Sequence, residues 1–91
     1  MLEEIKKIQG INHNEFDNLI NDWINAAKLD LESIGIVDTK VNENDSLINT
    51  AIRTYVLSFL DVKNSEMYSE SYRYQKDKLR HITEYQDEES K

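Results

Sequence analysis

The sequence predicts an all-α protein with a single small domain. Pro is absent and Gly occurs only at positions 10 and 35, so few residues would interrupt a helix. Apolar side chains recur three and four residues apart along most of the chain, which is typical of amphipathic helices. The 91 residues fit one domain. A chain of this size buries only about 60–70% of the surface that its unfolded form exposes, so we expect a thin core.

The first predicted helix is short and covers residues 2–9. Leu2, Ile5 and Ile8 repeat every three residues and form one narrow apolar edge. Gly10 is expected to end this helix, because glycine readily adopts the backbone conformation that follows a helix C-terminus.

The second predicted helix has the clearest signals. We expect Asn12 to be its N-cap, with Glu15 three residues later completing a capping box. Gly35 is placed to adopt the left-handed C′ conformation, and Ile36 would then pack back on Leu31 in a Schellman motif. The apolar positions at helical spacing are Phe16, Leu19, Ile20, Trp23, Ile24, Ala27, Leu31 and Ile34.

A polar loop over residues 37–44, in which a short strand is weakly indicated, precedes the third predicted helix. Asp45 is expected to cap this helix, and Asn64 and Ser65 to separate it from the next one. Its apolar positions form a wide stripe that we expect to lie in the core. They are Leu47, Ile48, Ala51, Ile52, Tyr55, Val56, Phe59 and Leu60.

The fourth predicted helix runs from Glu66 to Tyr85 and is more polar and more aromatic than the third. One seam at alternating spacings of four and three residues is expected to face the core: Tyr68, Tyr72, Gln75, Leu79 and Ile82. The helical domain is therefore expected to cover residues 1–85, followed by a frayed polar tail over residues 86–91.

Charge and composition exclude several classes of protein. The net charge is −7, and residues 1–45 are the acidic half, with 4 Lys or Arg against 10 Asp or Glu, compared with 7 against 8 in residues 46–91. An acidic chain is a poor clamp for nucleic acid or for an anionic membrane surface. No apolar run approaches the roughly 20 residues that a membrane span needs. The acidic start Met1–Glu4 argues against a signal or transit peptide, and the absence of Cys excludes disulfides.

No residue pattern indicates catalysis, a metal site or a cofactor. His13 and His81 lie in different predicted helices and have no metal-binding partner at helical spacing. The acids of the second helix fall on its polar side, where a solvated surface is expected rather than a shared cleft. Neither a phosphate-binding glycine loop nor a nucleophile motif is present. We therefore expect a protein that is not an enzyme.

The aromatic residues are the first candidates for an interaction surface. Trp23 lies on the apolar stripe of the second helix, so it is either a core aromatic or an interface anchor. Tyr68, Tyr72, Tyr74 and Tyr85 cannot all face one thin core. They are expected either to be partly buried, with their hydroxyls in water, or to form a subunit interface.

The basic residues of the fourth helix are the second group of candidates. They can form intrahelical ion pairs with Glu66, Glu70 and Asp77, or they can bind an acidic partner such as the acidic half of another copy. The basic cluster is Arg73, Lys76, Lys78 and Arg80. The combined candidate interface is Trp23, Tyr68, Tyr72, Tyr74, Arg73, Lys76 and Arg80.

Several segments, in their order and spacing, are similar to one known family. They are Met1–Lys7, Phe16–Ile20, Ala26–Leu31 closed by Gly35–Ile36, Asp45–Ile48 leading into Ala51–Val56, and Ser71–Tyr72 with Leu79. Together they resemble the small head–tail connector proteins of tailed bacteriophages, also called head-completion or DNA-packaging connector proteins. The resemblance covers residues 1 to about 83, and each segment is a packing pattern rather than a catalytic signature.

The resemblance implies a structural subunit of a homo-oligomeric ring, with about twelve copies joined by heterologous contacts. Such a ring would bind the phage portal protein and a tail, stopper or adaptor protein. It would extend the DNA channel during head completion, and DNA would pass through it without sequence-specific binding. The protein would then be part of the virion and would be present in the bacterial host cytoplasm during assembly.

The net charge by itself allows a different function. A small acidic helical protein could act as an inhibitor or an antitoxin-like binder of a basic partner. Such a protein would bind its partner in a salt-sensitive way and would be monomeric when free.

Overall fold

The computed structural model describes residues 1–37, 41, 45–82 and 85–86, and these residues form an all-helical domain. The helices are α1 (Leu2–Ile8), α2 (Asp17–Ser33), α3 (Ser46–Leu60) and α4 (Ser65–Arg80), with a 3-10 turn at Val62–Asn64. The described residues contain no strand, and one isolated antiparallel bridge joins Ile36 to Gln86. The predicted all-α fold is confirmed. None of these helices is both long and apolar enough to cross a membrane.

The core is built around α3, which packs against α2 and also forms an antiparallel hairpin with α4. Helix α1 adds Ile5, which is completely buried, and Arg53 of α3 forms an ion pair with Glu4 at 2.9 Å. The buried apolar residues are Ile5, Ile20, Ile24, Ala27, Leu31, Ile36, Val41, Ile48, Ala51, Ile52, Val56, Leu57, Tyr72, Leu79 and Tyr85. One apolar stripe from each helix therefore converges on a single core.

The start of α2 differs from the prediction. Asn12 is not its N-cap, because α2 begins at Asp17 and no side-chain capping bond is formed there. The buried Lys6 side chain instead draws in the preceding segment, and its ammonium lies 2.8 Å from Asn14 Oδ1 and 2.9 Å from Asp17 Oδ1. The N–H of Ile11 also donates to the carbonyl of Lys6. These contacts with α1 keep residues 11–16 in turns rather than in a first helical turn.

The predicted glycine ends are confirmed. Gly35 has a φ of 95°, its N–H donates to the Glu32 carbonyl, and the N–H of Ile36 donates to the Leu31 carbonyl. This pair of bonds defines a Schellman motif. Gly10 has a φ of 68° and ends α1, which covers Leu2–Ile8 rather than residues 2–9.

The N-cap of α3 is also confirmed. Asp45 Oδ1 accepts the N–H groups of Leu47 at 2.9 Å and Ile48 at 3.1 Å. At the other end, the Asp61 carboxylate accepts the N–H of Asn64, so the chain makes a 3-10 turn before α4 starts at Ser65.

Helix α4 ends at Arg80, five residues before the predicted end at Tyr85. The chain turns here because Tyr85 is buried and its hydroxyl donates to Asp45 Oδ2 at 2.6 Å, while its carbonyl accepts the N–H of Val37. The terminal segment is thereby attached to the start of α3. Gln86, the first residue of the predicted tail, pairs with Ile36. Residues 87–91 lie outside the described residues.

The predicted loop over residues 37–44 is described only at its two valines. Val41 is buried and donates its N–H to the carbonyl of Val37 at 3.2 Å. A bond between residues four apart is helical in type and not that of a strand. The rest of the weakly indicated strand lies outside the described residues.

Candidate interaction surfaces

A polar network centred on Asp30 joins α2 to α4. Asp30 Oδ2 accepts the Tyr72 hydroxyl at 2.6 Å and lies 3.0 Å from the Lys76 ammonium. Burial alone would raise the pKa of Asp30, but the hydrogen bonds from Tyr72 and Lys76 and the charge of Lys76 outweigh it and lower the pKa. Burial, and then the bond to Asp30 and its charge, raise the pKa of Tyr72 far above that of a free tyrosine.

This network gives two residues of the candidate interface a role inside one copy. Tyr72 is only 9% exposed, and its ring packs edge-on against Tyr55 with the centroids 5.1 Å apart. Lys76 is half-buried and is paired with Asp30. Both residues therefore hold α2 and α4 of one copy together, and their part in a subunit interface stays a prediction.

Trp23 lies at the boundary between the core and the surface. It is half-buried against the core, and its ring stacks on Phe59, with centroids 5.7 Å apart and planes inclined by 15°. Phe59 was predicted to be buried but is 50% exposed, which is a correction. Phe16 and Leu19 are also largely exposed, and Leu19 lies one turn before Trp23 on α2. Leu19 and Trp23 of α2, Phe16 just before α2, and Phe59 of α3 form one surface along α2. We call this surface the α2 stripe.

A second apolar surface lies between α3 and α4. Leu47 was predicted to be buried but is 54% exposed, and Tyr74 is 66% exposed with the Lys78 ammonium 5.2 Å from its ring centroid. These residues border a groove of about 390 Å³. We call it the α3–α4 groove and define it by Leu47, Thr50, Tyr74, Lys78, Leu79 and Ile82.

The remaining basic residues of the predicted cluster face outward. Arg80 forms a long ion pair of 3.9 Å with Asp77. Of the intrahelical ion pairs predicted for α4, this is the one found among the described residues. Arg73 is exposed and has no ion pair with any described residue. Of the remaining candidate tyrosines, Tyr68 is half-buried against the core and Tyr74 is exposed. Four of the candidates nevertheless lie together, because Arg73, Tyr74, Lys76 and Arg80 line one open pocket on α4.

The histidines do not come together in a site. Both are exposed; His13 Nδ1 accepts the N–H of Glu15, and the His13 ring lies edge-on to Phe16. No group of three or more His, Cys, Asp or Glu residues suited to a metal ion occurs among the described residues.

The residues that sequence reasoning missed are Leu19, Leu47 and Phe59. A signal for two of them was present in the sequence. The predicted stripe of α3 occupies two adjacent positions in each turn, which is wider than one thin core can cover. The edges of such a stripe must be covered by another helix or remain exposed.

The fold and its surfaces define a small helical protein whose distinctive features are exposed apolar faces. The family model described as phage connector protein matches residues 1–87. The chain therefore belongs to the phage connector protein family, which is structural rather than enzymatic and contributes to the virion. No curated protein and no solved structure matches the chain.

Proposed function

We propose that this protein is a subunit of an oligomeric ring that joins the phage head to the tail. In this proposal the ring binds the portal protein on one side and a tail, stopper or adaptor protein on the other. It completes the head after DNA packaging and extends the channel through which DNA passes. About twelve copies would form the ring by heterologous contacts.

The observation that carries this proposal is the family match over residues 1–87. The two apolar surfaces add physical support. A ring subunit needs two different faces, one for each neighbour, and the α2 stripe and the α3–α4 groove belong to different helix pairs. Exposed apolar surface of this kind is stabilised when a partner covers it.

The acidic charge fits a channel for DNA. The chain carries a net charge of −7, so a ring of many copies would be strongly negative. Phosphates would then find few cationic contacts, and DNA would slide rather than bind. The acidic-binder alternative rests on the same charge, but the family match favours the connector role.

Electron microscopy of the purified protein mixed with its portal protein tests the proposal. We expect a stacked ring on the portal, and mass measurement of the complex would give the number of copies. An absence of portal binding at all concentrations, together with capture of a basic enzyme by the free monomer, would instead favour the acidic binder.

A further inference from the structure

We infer that the α2 stripe of one copy packs into the α3–α4 groove of the next copy. This inference rests on the proposed ring and identifies its subunit contact. The occupant of the groove is thus a second copy of this chain, presenting Leu19 and its neighbours on α2. Asp22 then lies near Lys78 of the other copy.

The two surfaces open in different directions, so one copy cannot cover its own groove. Lys76 points towards α2, where it pairs with Asp30. Lys78 lines the groove and comes two residues later, which is about 200° around the helix. The groove therefore opens on the side of α4 away from α2. A contact between two different faces repeats from copy to copy, as a ring requires.

The charges beside the two surfaces are complementary. Glu15 and Asp22 flank the α2 stripe, are exposed, and have no ion pair with described residues. Lys78 is the charged residue that lines the groove in the described part of the chain. Glu70 precedes Lys78 by eight residues, or about two turns of α4. The positively charged end of the groove is therefore the end near Lys78 and Ile82.

The symmetric alternatives do not build a ring. Two grooves packed face to face would bring together two Lys78 side chains, and like charges weaken a contact. Two stripes packed face to face are not excluded by charge, because Arg73 and Lys76 lie beside Phe59 at the edge of the stripe. A contact between two identical faces closes a dimer, however, and cannot repeat from copy to copy. Only the contact between the stripe and the groove both joins Asp22 to Lys78 and repeats around a ring.

Cysteine cross-linking tests the contact directly, because the native chain has no Cys. The double variant Leu19→Cys/Leu47→Cys should form a ladder of disulfide-linked oligomers on oxidation, both alone at high concentration and with portal protein. Each single variant should remain a monomer. The matched control is Leu29→Cys/Leu47→Cys, in which a leucine of α2 that is more exposed than Leu19 (67% against 45%) faces a different direction.

The outcomes separate this inference from the proposed function. Dimers of Leu19→Cys alone would mean that the stripe pairs with itself, and the inference would fall. A portal-bound ring in which the Leu19→Cys/Leu47→Cys variant forms no more cross-links than the Leu29→Cys/Leu47→Cys control would overturn the contact. The proposed ring itself would still stand. Absence of both a ring and cross-links would overturn both proposals.

Charge reversal gives an independent test. Asp22→Lys and Lys78→Glu should each raise the concentration needed for assembly about tenfold at low salt, and the double variant should recover most of the loss. Glu3→Lys, an exposed change of the same sign on α1, serves as the control and should assemble normally. Double variants that assemble no better than the single ones would refute the pairing of Asp22 with Lys78.

Discussion

The contact between Tyr72 and Asp30 makes a strong prediction about stability. Tyr72→Phe removes one hydroxyl and keeps the ring that packs on Tyr55. The lost bond is 2.6 Å long and has a carboxylate as acceptor. A bond to a charged group contributes about 1.5–3 kcal/mol, and Asp30 keeps Lys76, so we expect a loss of about 1.5–2 kcal/mol. For a domain of this size this lowers the Tm by about 6–16 °C.

Urea and thermal unfolding, followed by circular dichroism, measure this loss. Tyr74→Phe is the matched control, because Tyr74 is 66% exposed and its hydroxyl has no partner among the described residues. We expect the control to change the free energy of unfolding by less than about 0.5 kcal/mol. Equal stability of the Tyr72→Phe and Tyr74→Phe variants would refute the assignment of Tyr72 to the core.

The same network predicts how stability depends on pH. The pKa of Asp30 is lowered by folding, so its contribution is present above the unfolded pKa and is lost as the pH falls below about 4. The pKa of Tyr72 is raised, so its contribution is complete below pH 10 and is lost as the pH rises above that value. Tyr72→Phe should therefore flatten the alkaline decrease in stability, and an unchanged alkaline slope would contradict this reasoning.

Three further predictions concern local contacts. Asp45→Ala should lower the free energy of unfolding by about 2.5–4 kcal/mol, because it removes both the cap of α3 and the carboxylate that accepts the Tyr85 hydroxyl, and Tyr85→Phe, which keeps the cap, should cost less in the same urea titration. Lys6→Met should speed amide hydrogen exchange in residues 11–16, since the ion pair with Asp17 is lost; unchanged exchange would mean that the pair does not order this segment. Gly10→Ala should cost about 1–2 kcal/mol through the positive φ alone, because no atom lies within 4 Å of an added Cβ, and a neutral result in thermal unfolding would count against it.

Helix ends could be predicted where neighbouring residues determine them. Gly35 and Asp45 satisfy backbone groups only a few residues away, so their sequence patterns were sufficient. The predictions at Asn12 and Tyr85 failed because distant contacts decide those ends. Lys6 holds the chain before α2 in turns, and the bond from Tyr85 to Asp45 spans 40 residues. Local propensity does not contain such contacts.

The exposure of the apolar and aromatic residues was predicted only in part, for a related reason. Periodicity tells which face of a helix is apolar, but it does not tell which edge of that face a neighbouring helix covers. Tyr72 and Phe59 illustrate the difference. The tyrosine has a polar tip, which suggested an interface, but Asp30 on α2 accepts its hydroxyl inside the fold. Phe59 was predicted to lie in the core but lies at its edge, where it stacks on Trp23.

The exposed surface that remains is apolar, and this predicts what drives assembly. Burial of a leucine side chain contributes about 1.5–3 kcal/mol, whereas an exposed ion pair contributes about 0–1 kcal/mol and is screened by salt. Leu19→Ala should therefore raise the concentration needed for assembly about tenfold or more at any salt concentration, with a smaller effect on the Tm of the monomer because Leu19 is 45% exposed in one copy. Asp22→Asn should have a smaller effect that disappears at high salt. Light scattering across a salt series measures the assembly of both variants. Complete dissociation of the native assembly into monomers at high salt would show that charge, not apolar burial, holds the copies together.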